Sequence, residues 1–223
     1  MPRVRVMVVD DHPLVRRGFR ALVAAVGSIE LCAEAADGRA AIEELRALEE
    51  RGQLPDVVLL DLLMPGLDGT ATTAEIRRRF GDVPVVILTG FGELERLGSA
   101  LAEGATGFLF KDAAPAQVLA ALHAGARGET VLHPGLTRRL AAAVLARPAT
   151  PARALTEQQR ALLALLARDR TDRGIARELG ISEPTAALRV SDLLDELALR
   201  SRTQAALLAV ALGLPDPGAR API

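Results

Sequence analysis

Five polar residues in the first half of the chain stand at or directly after the ends of short apolar runs. Asp10 and Asp11 follow VRVMVV, Asp61 follows DVVLL, Thr89 follows VPVVIL and Lys111 follows TGFLF. Lys111 is the only lysine among 27 Lys and Arg residues. Because a compact ammonium on a flexible stem binds differently from a planar guanidinium, this single lysine indicates a specific chemical role.

These residue types are typical of a phosphoryl-transfer site that holds a divalent cation. Clustered carboxylates repel one another by about 4 kcal/mol per pair at about 4 Å and an effective dielectric constant of about 20. A hard cation removes that repulsion, and Mg²⁺ suits a few carboxylates with several retained waters. A carboxylate beside the metal can attack phosphorus and hold the phosphoryl group as an acyl phosphate, whose oxygens a lysine and a threonine can bind.

The five residues come together only if the apolar runs form one parallel sheet. Runs rich in Val, Ile and Leu cover 4–9, 29–35, 56–60, 83–88 and 106–110, and helical patterns lie near 13–26, 38–50, 68–79, 93–103 and 115–127. This alternation predicts an α/β fold with a doubly wound five-stranded parallel sheet. The carboxyl ends of its strands share one edge, where ligands bind.

Beyond residue 127 the pattern changes. We expect a further helix at about 135–146, and then the stretch ARPATPARALT favours a linker because its prolines interrupt a helix. Residues 156–212 have the periodicity of four short helices. The predicted organisation is an α/β domain at 1–127, a linker helix and Pro/Ala-rich linker at 128–154, a small all-α domain at 155–214 and a flexible tail at 215–223.

The all-α domain contains a helix-turn-helix pattern. Ile175 and Leu179 mark the buried side of the first helix, Gly180 the turn and Ser182 the cap of the second helix. This second helix is the one expected to enter a DNA groove, yet residues 183–197 have a net charge of −3. They contain one base, Arg189, and four acids, Glu183, Asp192, Asp195 and Glu196.

Residues 1–127 resemble the receiver domain of two-component response regulators. The resemblance rests on the acid pair Asp10–Asp11, the run D-x-x-M-P-x-x-D-G from Asp61 to Gly69, Thr89, and G-F-L-F-K ending at Lys111. It implies a flavodoxin-like receiver fold and phosphorylation by a sensor histidine kinase. The implied roles are phosphoacceptor for Asp61, Mg²⁺ ligands for Asp10, Asp11, Asp61 and the backbone carbonyl of Leu63, and phosphoryl binding or switching for Thr89, Lys111 and Phe108.

Residues 155–212 resemble the LuxR-type DNA-binding domain, on LTEQQRALLALLARDRTDRGIARELGISEPT and RSRTQAALLA. With a receiver in front, the arrangement is that of the NarL/FixJ class. The resemblance implies promoter binding as a dimer on activation, with dimerisation through a helix at about 203–212. Among the implied DNA-binding residues, Ala187, Leu188 and Ser191 would face the bases. The arginines on either side of the helix would contact the DNA backbone: Arg168, Arg170, Arg173, Arg200 and Arg202. Thr171, Thr185 and Arg189 complete the set.

The leading interpretation is a phosphorylation-controlled transcriptional regulator and not an enzyme. A signalling adaptor, whose all-α domain binds a protein or only dimerises, is the alternative; the acidic helix at 183–197 favours it and the flanking arginines oppose it. A phosphoaspartyl hydrolase is disfavoured because Leu63 stands where such an enzyme would have an acid. Leu63 and Phe91 are both apolar and both flank the expected path of hydrolytic water, so we expect a long-lived acyl phosphate.

The composition of the chain limits which classes of ligand and which cellular location we expect. A formal net charge of −1 neither indicates nor excludes a nucleic-acid binder, because the local distribution of charge decides. With no Tyr and no Trp, the chain lacks the stacking surfaces typical of single-strand binders. No signal peptide or membrane-spanning run is recognisable, so we expect a cytoplasmic protein. Cys32 is expected to be a small buried hydrophobe, and His12, His123 and His133 to be structural.

Overall fold

A computed structural model describes residues 3–81, 83–90, 94–130, 155–168 and 171–214. The chain divides into two compact units, Met1–Val131 and Leu132–Ile223. The predicted linker helix at 135–146 and the tail at 215–223 lie outside the described residues. The exact domain boundaries proposed from the sequence therefore stay predictions.

The first unit is built on a five-stranded parallel sheet of order β2-β1-β3-β4-β5. Its strands are β1 (Val4–Val9), β2 (Ile29–Ala35), β3 (Val57–Asp61), β4 (Val85–Thr89) and β5 (Gly107–Phe110). The two strands β3 and β4 are buried at every residue, as continuous apolar runs in a sheet covered on both faces require. The predicted doubly wound sheet is confirmed.

Five helices follow the strands in alternation: α1 (Pro13–Ala24), α2 (Gly38–Glu50), α3 (Gly69–Phe80), α4 (Leu94–Ala102) and α5 (Pro115–Ala126). Side chains fix several of their starts. Asp37 accepts hydrogen bonds from the backbone N–H groups at the start of α2, and Asp68 accepts one from Ala71 N–H at the start of α3. These caps satisfy backbone N–H groups that have no partner within the helix, and so fix where α2 and α3 begin.

Two strand boundaries differ from the sequence prediction. β4 begins at Val85 instead of residue 83, and it includes Thr89, which was expected to follow the strand. Pro84 has no N–H group to donate to the ladder, so regular pairing begins after it. Cys32 also differs from expectation: it is only half-buried, and its thiol donates a hydrogen bond to the carbonyl of Val6 at 3.3 Å.

The second unit contains four described helices, α6 (Glu157–Ala167), α7 (Asp172–Leu179), α8 (Glu183–Glu196) and α9 (Arg202–Ala211). Leucines of α6 pack with Ile175, Val190 and Leu208 in its core. Gly180 adopts the left-handed conformation, with φ 65° and ψ 33°, which ends α7 and makes the turn to α8. The four-helix prediction is confirmed. None of the described helices is long and apolar enough to cross a membrane.

Candidate functional site

The parallel sheet brings the predicted polar residues to one edge. Asp10 follows β1, Asp61 and Thr89 are the last residues of β3 and β4, and Lys111 follows β5. Backbone hydrogen bonds continue the ladder to this edge: Lys111 N–H donates to the carbonyl of Thr89 at 2.8 Å, and Asp10 N–H to that of Ala35 at 3.2 Å. The positions of these side chains are therefore set by the strand register.

An ion pair forms the centre of this edge. Lys111 Nζ donates a hydrogen bond to Asp61 Oδ2 at 2.7 Å and lies 3.5 Å from Asp10 Oδ2. Asp61 and Asp10 have 0% and 1% of their surface exposed, whereas the Lys111 side chain is 30% exposed. One partly exposed ammonium thus faces two buried carboxylates, which leaves the site with excess negative charge.

The pKa values reflect this environment. Burial raises the pKa of Asp61 above its usual value, and the hydrogen bond and charge of Lys111 offset only part of that rise. The neighbouring charge of Asp10 raises it further. For Lys111, burial lowers the pKa, but the hydrogen bond and charge of Asp61 outweigh burial and the pKa is raised overall. Lys111 is therefore protonated at neutral pH.

The acidic cluster fits a metal ion. Asp10 Oδ2 and Asp11 Oδ1 are buried and accept no hydrogen bond of good geometry, although Lys111 Nζ lies 3.5 Å from the first and the His12 ring nitrogen 2.7 Å from the second. Ligand atoms of Asp10, Asp11, His12 and Asp61 all lie within 4.8 Å of one another. Buried carboxylate oxygens without donors are costly unless a cation neutralises them, and oxygen-rich sites suit hard divalent cations.

The loop between β1 and α1 is fixed by contacts that the sequence does not predict. His12 N–H donates to Asp10 Oδ1 at 2.7 Å, and the His12 ring lies 2.7 Å from Asp11 Oδ1. Arg16 Nη1 donates to the backbone carbonyl of Asp10 at 2.6 Å. The only sequence signal for Arg16 is its place near the start of α1. His123 contacts Ser28 at 3.1 Å, and His133 lies outside the described residues.

The loop between β3 and α3 passes close to Asp61. Leu63 N–H donates to Asp61 Oδ1 at 3.4 Å, and the Leu63 side chain is 38% exposed. Gly69 N–H donates to the carbonyl of Leu62 at 3.0 Å, and a Cβ atom at Gly69 would lie 2.7 Å from Leu62 Cα. A glycine is therefore required where the helix returns to the strand end. Gly66, with φ +79°, makes the preceding turn.

The remaining receiver residues are buried. Thr89 Oγ1 donates a hydrogen bond to the carbonyl of Gly90 at 3.3 Å, at the edge that holds Asp61. Phe108 is fully buried in β5, where it pairs with Ile87 of β4. Phe91 lies outside the described residues.

In the second unit, the three predicted base-facing residues share one side of α8. Ala186, Val190 and Leu193 form its buried stripe, whereas Ala187, Leu188 and Ser191 are exposed. Arg189 is exposed at the side, in a groove of about 470 Å³ that Gln159, Asp192 and Glu196 also line. Glu196 accepts a hydrogen bond from Gln159 at 2.7 Å, so one of the four acids is held by α6.

The residues predicted to contact the DNA backbone differ in their surroundings: some form ion pairs within the protein and others are exposed. Arg202 Nη1 donates to Asp172 Oδ1 at 2.7 Å, which joins the first turn of α9 to that of α7. Arg168 lies 3.9 Å from Glu178, while Arg173 and Arg200 are exposed. Two threonines lie at helix starts: Thr171 caps α7, and half-buried Thr185 donates its N–H to Ser182, the cap of α8. Arg170 lies outside the described residues.

Comparisons with known proteins agree with both units. Residues 6–123 match the response regulator receiver domain, and residues 153–209 match the luxR family of bacterial regulatory proteins. The nitrate/nitrite response regulator protein NarL of Escherichia coli (strain K12) is 37% identical over 205 residues, which cover 91% of this chain and 93% of NarL.

Solved structures give the same result. The signal receiver domain of a NarL response regulator from Mycobacterium tuberculosis is 38% identical, with a TM-score of 0.53, over 57% of this chain and 99% of that domain. RcsB from Salmonella enterica serovar Typhimurium, bound to promoter rprA in the presence of phosphomimetic BeF₃⁻, is 25% identical. That match has a TM-score of 0.53 and covers 93% of this chain and 100% of that one.

A receiver sheet with an acidic edge, a helix-turn-helix unit and relatives matched over most of their length all favour the transcriptional interpretation over the adaptor and the hydrolase. A receiver domain implies a sensor kinase as partner, and a luxR-family domain implies DNA. The chain belongs to the NarL/LuxR family of response regulators and is a phosphorylation-controlled regulator of transcription.

Proposed function

We propose that Asp61 is the phosphoacceptor and that a sensor histidine kinase is the donor. The observation that carries this proposal is the 2.7 Å hydrogen bond from Lys111 to Asp61, in a buried site where one oxygen each of Asp10 and Asp11 accepts no hydrogen bond of good geometry. Asp61 is the strand-end acid that the ammonium contacts most closely, and it lies beside the half-exposed β3–α3 loop.

The transfer replaces one bond to phosphorus by another. An Asp61 oxygen attacks phosphorus while the P–N bond of the donor phosphohistidine breaks, and the electron pair returns to the imidazole nitrogen. In the product, Lys111 moves from the carboxylate to a phosphoryl oxygen. Thr89 exchanges its hydrogen bond to Gly90 for one to a second phosphoryl oxygen. Phe108, which is fully buried in the neighbouring strand β5, is the residue proposed to change its rotamer when Thr89 shifts and so to signal the phosphorylated state.

Mg²⁺ is the proposed cofactor. Asp10, Asp11, Asp61 and the backbone carbonyl of Leu63 would hold it, in agreement with the two buried carboxylate oxygens that accept no hydrogen bond of good geometry. When bound, Mg²⁺ neutralises charge on the phosphoryl oxygens. Arg16 and His12 support the site by fixing the loop that carries Asp10 and Asp11.

The second unit is proposed to bind promoter DNA as a homodimer after phosphorylation. RcsB, which is bound to a promoter in the presence of a phosphomimetic, supports this proposal. Ala187, Leu188 and Ser191 would face the bases, and α9 would dimerise. The proposed backbone and flanking contacts are Arg168, Arg170, Thr171, Arg173, Thr185, Arg189, Arg200 and Arg202.

Phosphorylation by a small acyl phosphate tests the acceptor. With Mg²⁺, the full chain is expected to gain one alkali-labile phosphoryl group, visible as a retarded band on a phosphate-affinity gel. Asp61→Asn should gain none, and a chelator should suppress labelling of the wild type. Lys111→Arg keeps the charge but not the compact ammonium, so we expect labelling about tenfold slower, as for loss of one charge-assisted hydrogen bond. Labelling of Asp61→Asn at the wild-type rate would contradict the proposal.

Genome-wide DNA capture tests the output. The full chain is incubated with fragmented genomic DNA, with and without phosphoryl donor and Mg²⁺, at two salt concentrations. Enrichment of a roughly palindromic motif that strengthens on phosphorylation supports binding as a dimer. No enrichment in either state, with Asp61 still phosphorylated, would contradict it and point to a protein partner.

The lifetime of the acyl phosphate is a separate prediction. The apolar side chain of Leu63, 38% exposed beside Asp61, disfavours an ordered attacking water. We expect a half-life of minutes or longer after the donor is removed. Leu63→Asn, which offers water a hydrogen-bonding partner, should shorten it. Loss within seconds from the wild type would overturn this prediction.

A further inference from the structure

The N-terminal half of α8 has an apolar exposed surface. Leu188 is 62% exposed, and its neighbours on that surface, Ala187 and Ser191, are exposed too. The large exposed hydrophobic residues in the described part of the chain are Leu14, Leu63, Leu188 and Val210. Leu188 is the one that lies on α8.

Helix geometry orients Leu188 away from the domain core. At about 100° per residue, Leu188 lies about 200° around the helix from Ala186, which is fully buried. Arg189 lies about 100° further, on the side that lines the groove with Gln159 and Glu196. The only base of α8 is therefore beside the exposed face, and Leu188 is at its centre.

Charge distinguishes the two halves of α8. Asp192, Asp195 and Glu196 are all exposed and all lie in the C-terminal half, whereas the N-terminal half has one acid, Glu183, and one base, Arg189. The carboxylates of the C-terminal half repel phosphates, so the N-terminal half is the part of α8 that can approach a DNA groove most closely. Residues at the start of a recognition helix are also the ones that contact base edges.

The chemistry left on this surface is apolar contact. Ala187 and Leu188 have no polar side-chain atoms, and Ser191 has one hydroxyl, which discriminates weakly between bases. None of the three can make the bidentate hydrogen bonds by which Arg, Asn or Gln select a base pair. In the major groove, the apolar group that identifies a base is the 5-methyl of thymine.

We propose that Leu188 determines sequence specificity by contacting the 5-methyl group of a thymine in each half-site. The inference rests on the proposed function, in which the helix-turn-helix unit binds promoter DNA. It specifies the ligand as duplex DNA with a required thymine. In this proposal α8 recognises bases by apolar contact with thymine methyl groups, and its side chains form few or no base-specific hydrogen bonds.

Replacing thymine by deoxyuridine tests this contact, because the two bases pair identically and differ only in the methyl group. The full chain, activated with Mg²⁺ and beryllofluoride, first selects a motif from random duplexes. Each thymine of that motif is then replaced singly by deoxyuridine, and affinity is measured at low salt for wild type, Leu188→Ala and Leu188→Met. For the wild type, replacement at one thymine per half-site should weaken binding about fourfold, the transfer value of one methyl group.

The two variants show whether any preference for thymine depends on the apolar side chain of Leu188. Leu188→Ala should bind the thymine and deoxyuridine duplexes equally, whereas Leu188→Met, which keeps apolar contact, should retain most of the difference. Equal binding of both duplexes by the wild type, or an undiminished difference in Leu188→Ala, would overturn the inference while leaving DNA binding intact. Selection of no motif at all would overturn the proposed function together with it.

Discussion

Asp61 has to be ionised to attack phosphorus, yet burial raises its pKa. An acid whose folded pKa is raised binds its proton more tightly in the folded chain than in the unfolded chain. Its stabilising contribution is fully present below the unfolded pKa and is lost as the pH rises through the raised folded pKa. At neutral pH, therefore, the ionised Asp61 lowers the free energy of unfolding.

The variant Asp61→Asn should consequently be more stable than the wild type in the absence of Mg²⁺. We expect a gain on the order of 1 kcal/mol at pH 7, a Tm increase of about 2–8 °C, which shrinks as the pH is lowered toward the usual Asp pKa. Added Mg²⁺ should stabilise the wild type more than Asp61→Asn. Thermal unfolding over a pH series measures both effects, and Glu43→Gln, which changes an exposed acid on α2, is the control. A lower Tm for Asp61→Asn than for the wild type would contradict the argument.

At the scale of elements, the strand pattern was sufficient to predict the acidic edge. Five apolar runs imply five strand ends, and a parallel sheet brings those ends together whatever the loops do. The contacts of Arg16 with the Asp10 carbonyl and of Arg202 with Asp172 were not predictable. The first contact depends on the exact path of a loop. The second joins two residues 30 positions apart in the sequence, and helical periodicity does not predict contacts over such a separation.

Two glycines with opposite surroundings test how tightly α3 is joined to β3. A Cβ atom at Gly69 would meet the backbone of Asp61 and Leu62, whereas one at Gly18, inside α1, would meet nothing within 4 Å. Gly69→Ala should lower the free energy of unfolding by about 1–3 kcal/mol and slow phosphorylation. Gly18→Ala should raise it by about 0.5–1 kcal/mol. Chemical denaturation measures both, and equal effects would contradict the close approach.

The ion pair between Asp172 of α7 and Arg202 of α9 is expected to weaken DNA binding. Because Arg202 is bonded to Asp172, it is held by a carboxylate that a DNA phosphate would have to replace. Asp172→Asn keeps the shape and removes the competing charge, so affinity should rise. The slope of log K against log[salt] should become steeper by about 0.9, one additional phosphate contact. Salt-dependent binding of a selected duplex measures the slope.

Two further variants serve as controls for the Asp172→Asn measurement. Glu157→Gln removes an exposed first-turn acid from α6 and should leave the slope unchanged. Adding Arg202→Gln to Asp172→Asn should reverse the gain. An unchanged slope in Asp172→Asn would mean that Arg202 does not reach the backbone.

At the scale of the whole molecule, phosphorylation and DNA binding are linked equilibria. If activation of the receiver increases DNA affinity by some factor, DNA must increase the affinity for the activating ligand by the same factor. For the full chain we expect a specific duplex to tighten beryllofluoride binding about 5–150-fold, the usual range of such coupling. Titration of beryllofluoride with Mg²⁺, with and without the duplex, measures this factor. A duplex of unrelated sequence is the control, and no difference between the two would show uncoupled units.

Since Lys111 is the only lysine, the ε-amine that bonds Asp61 at 2.7 Å has no chemical equivalent elsewhere among the side chains. Reductive methylation with ¹³C-formaldehyde therefore labels the α-amino group and Lys111 alone, and it preserves the positive charge of both. The carbon resonance of the modified Lys111 becomes an isotopic reporter located at the phosphorylation site. One NMR spectrum can then follow the exchange of its carboxylate partner for a phosphoryl oxygen, without any engineered probe.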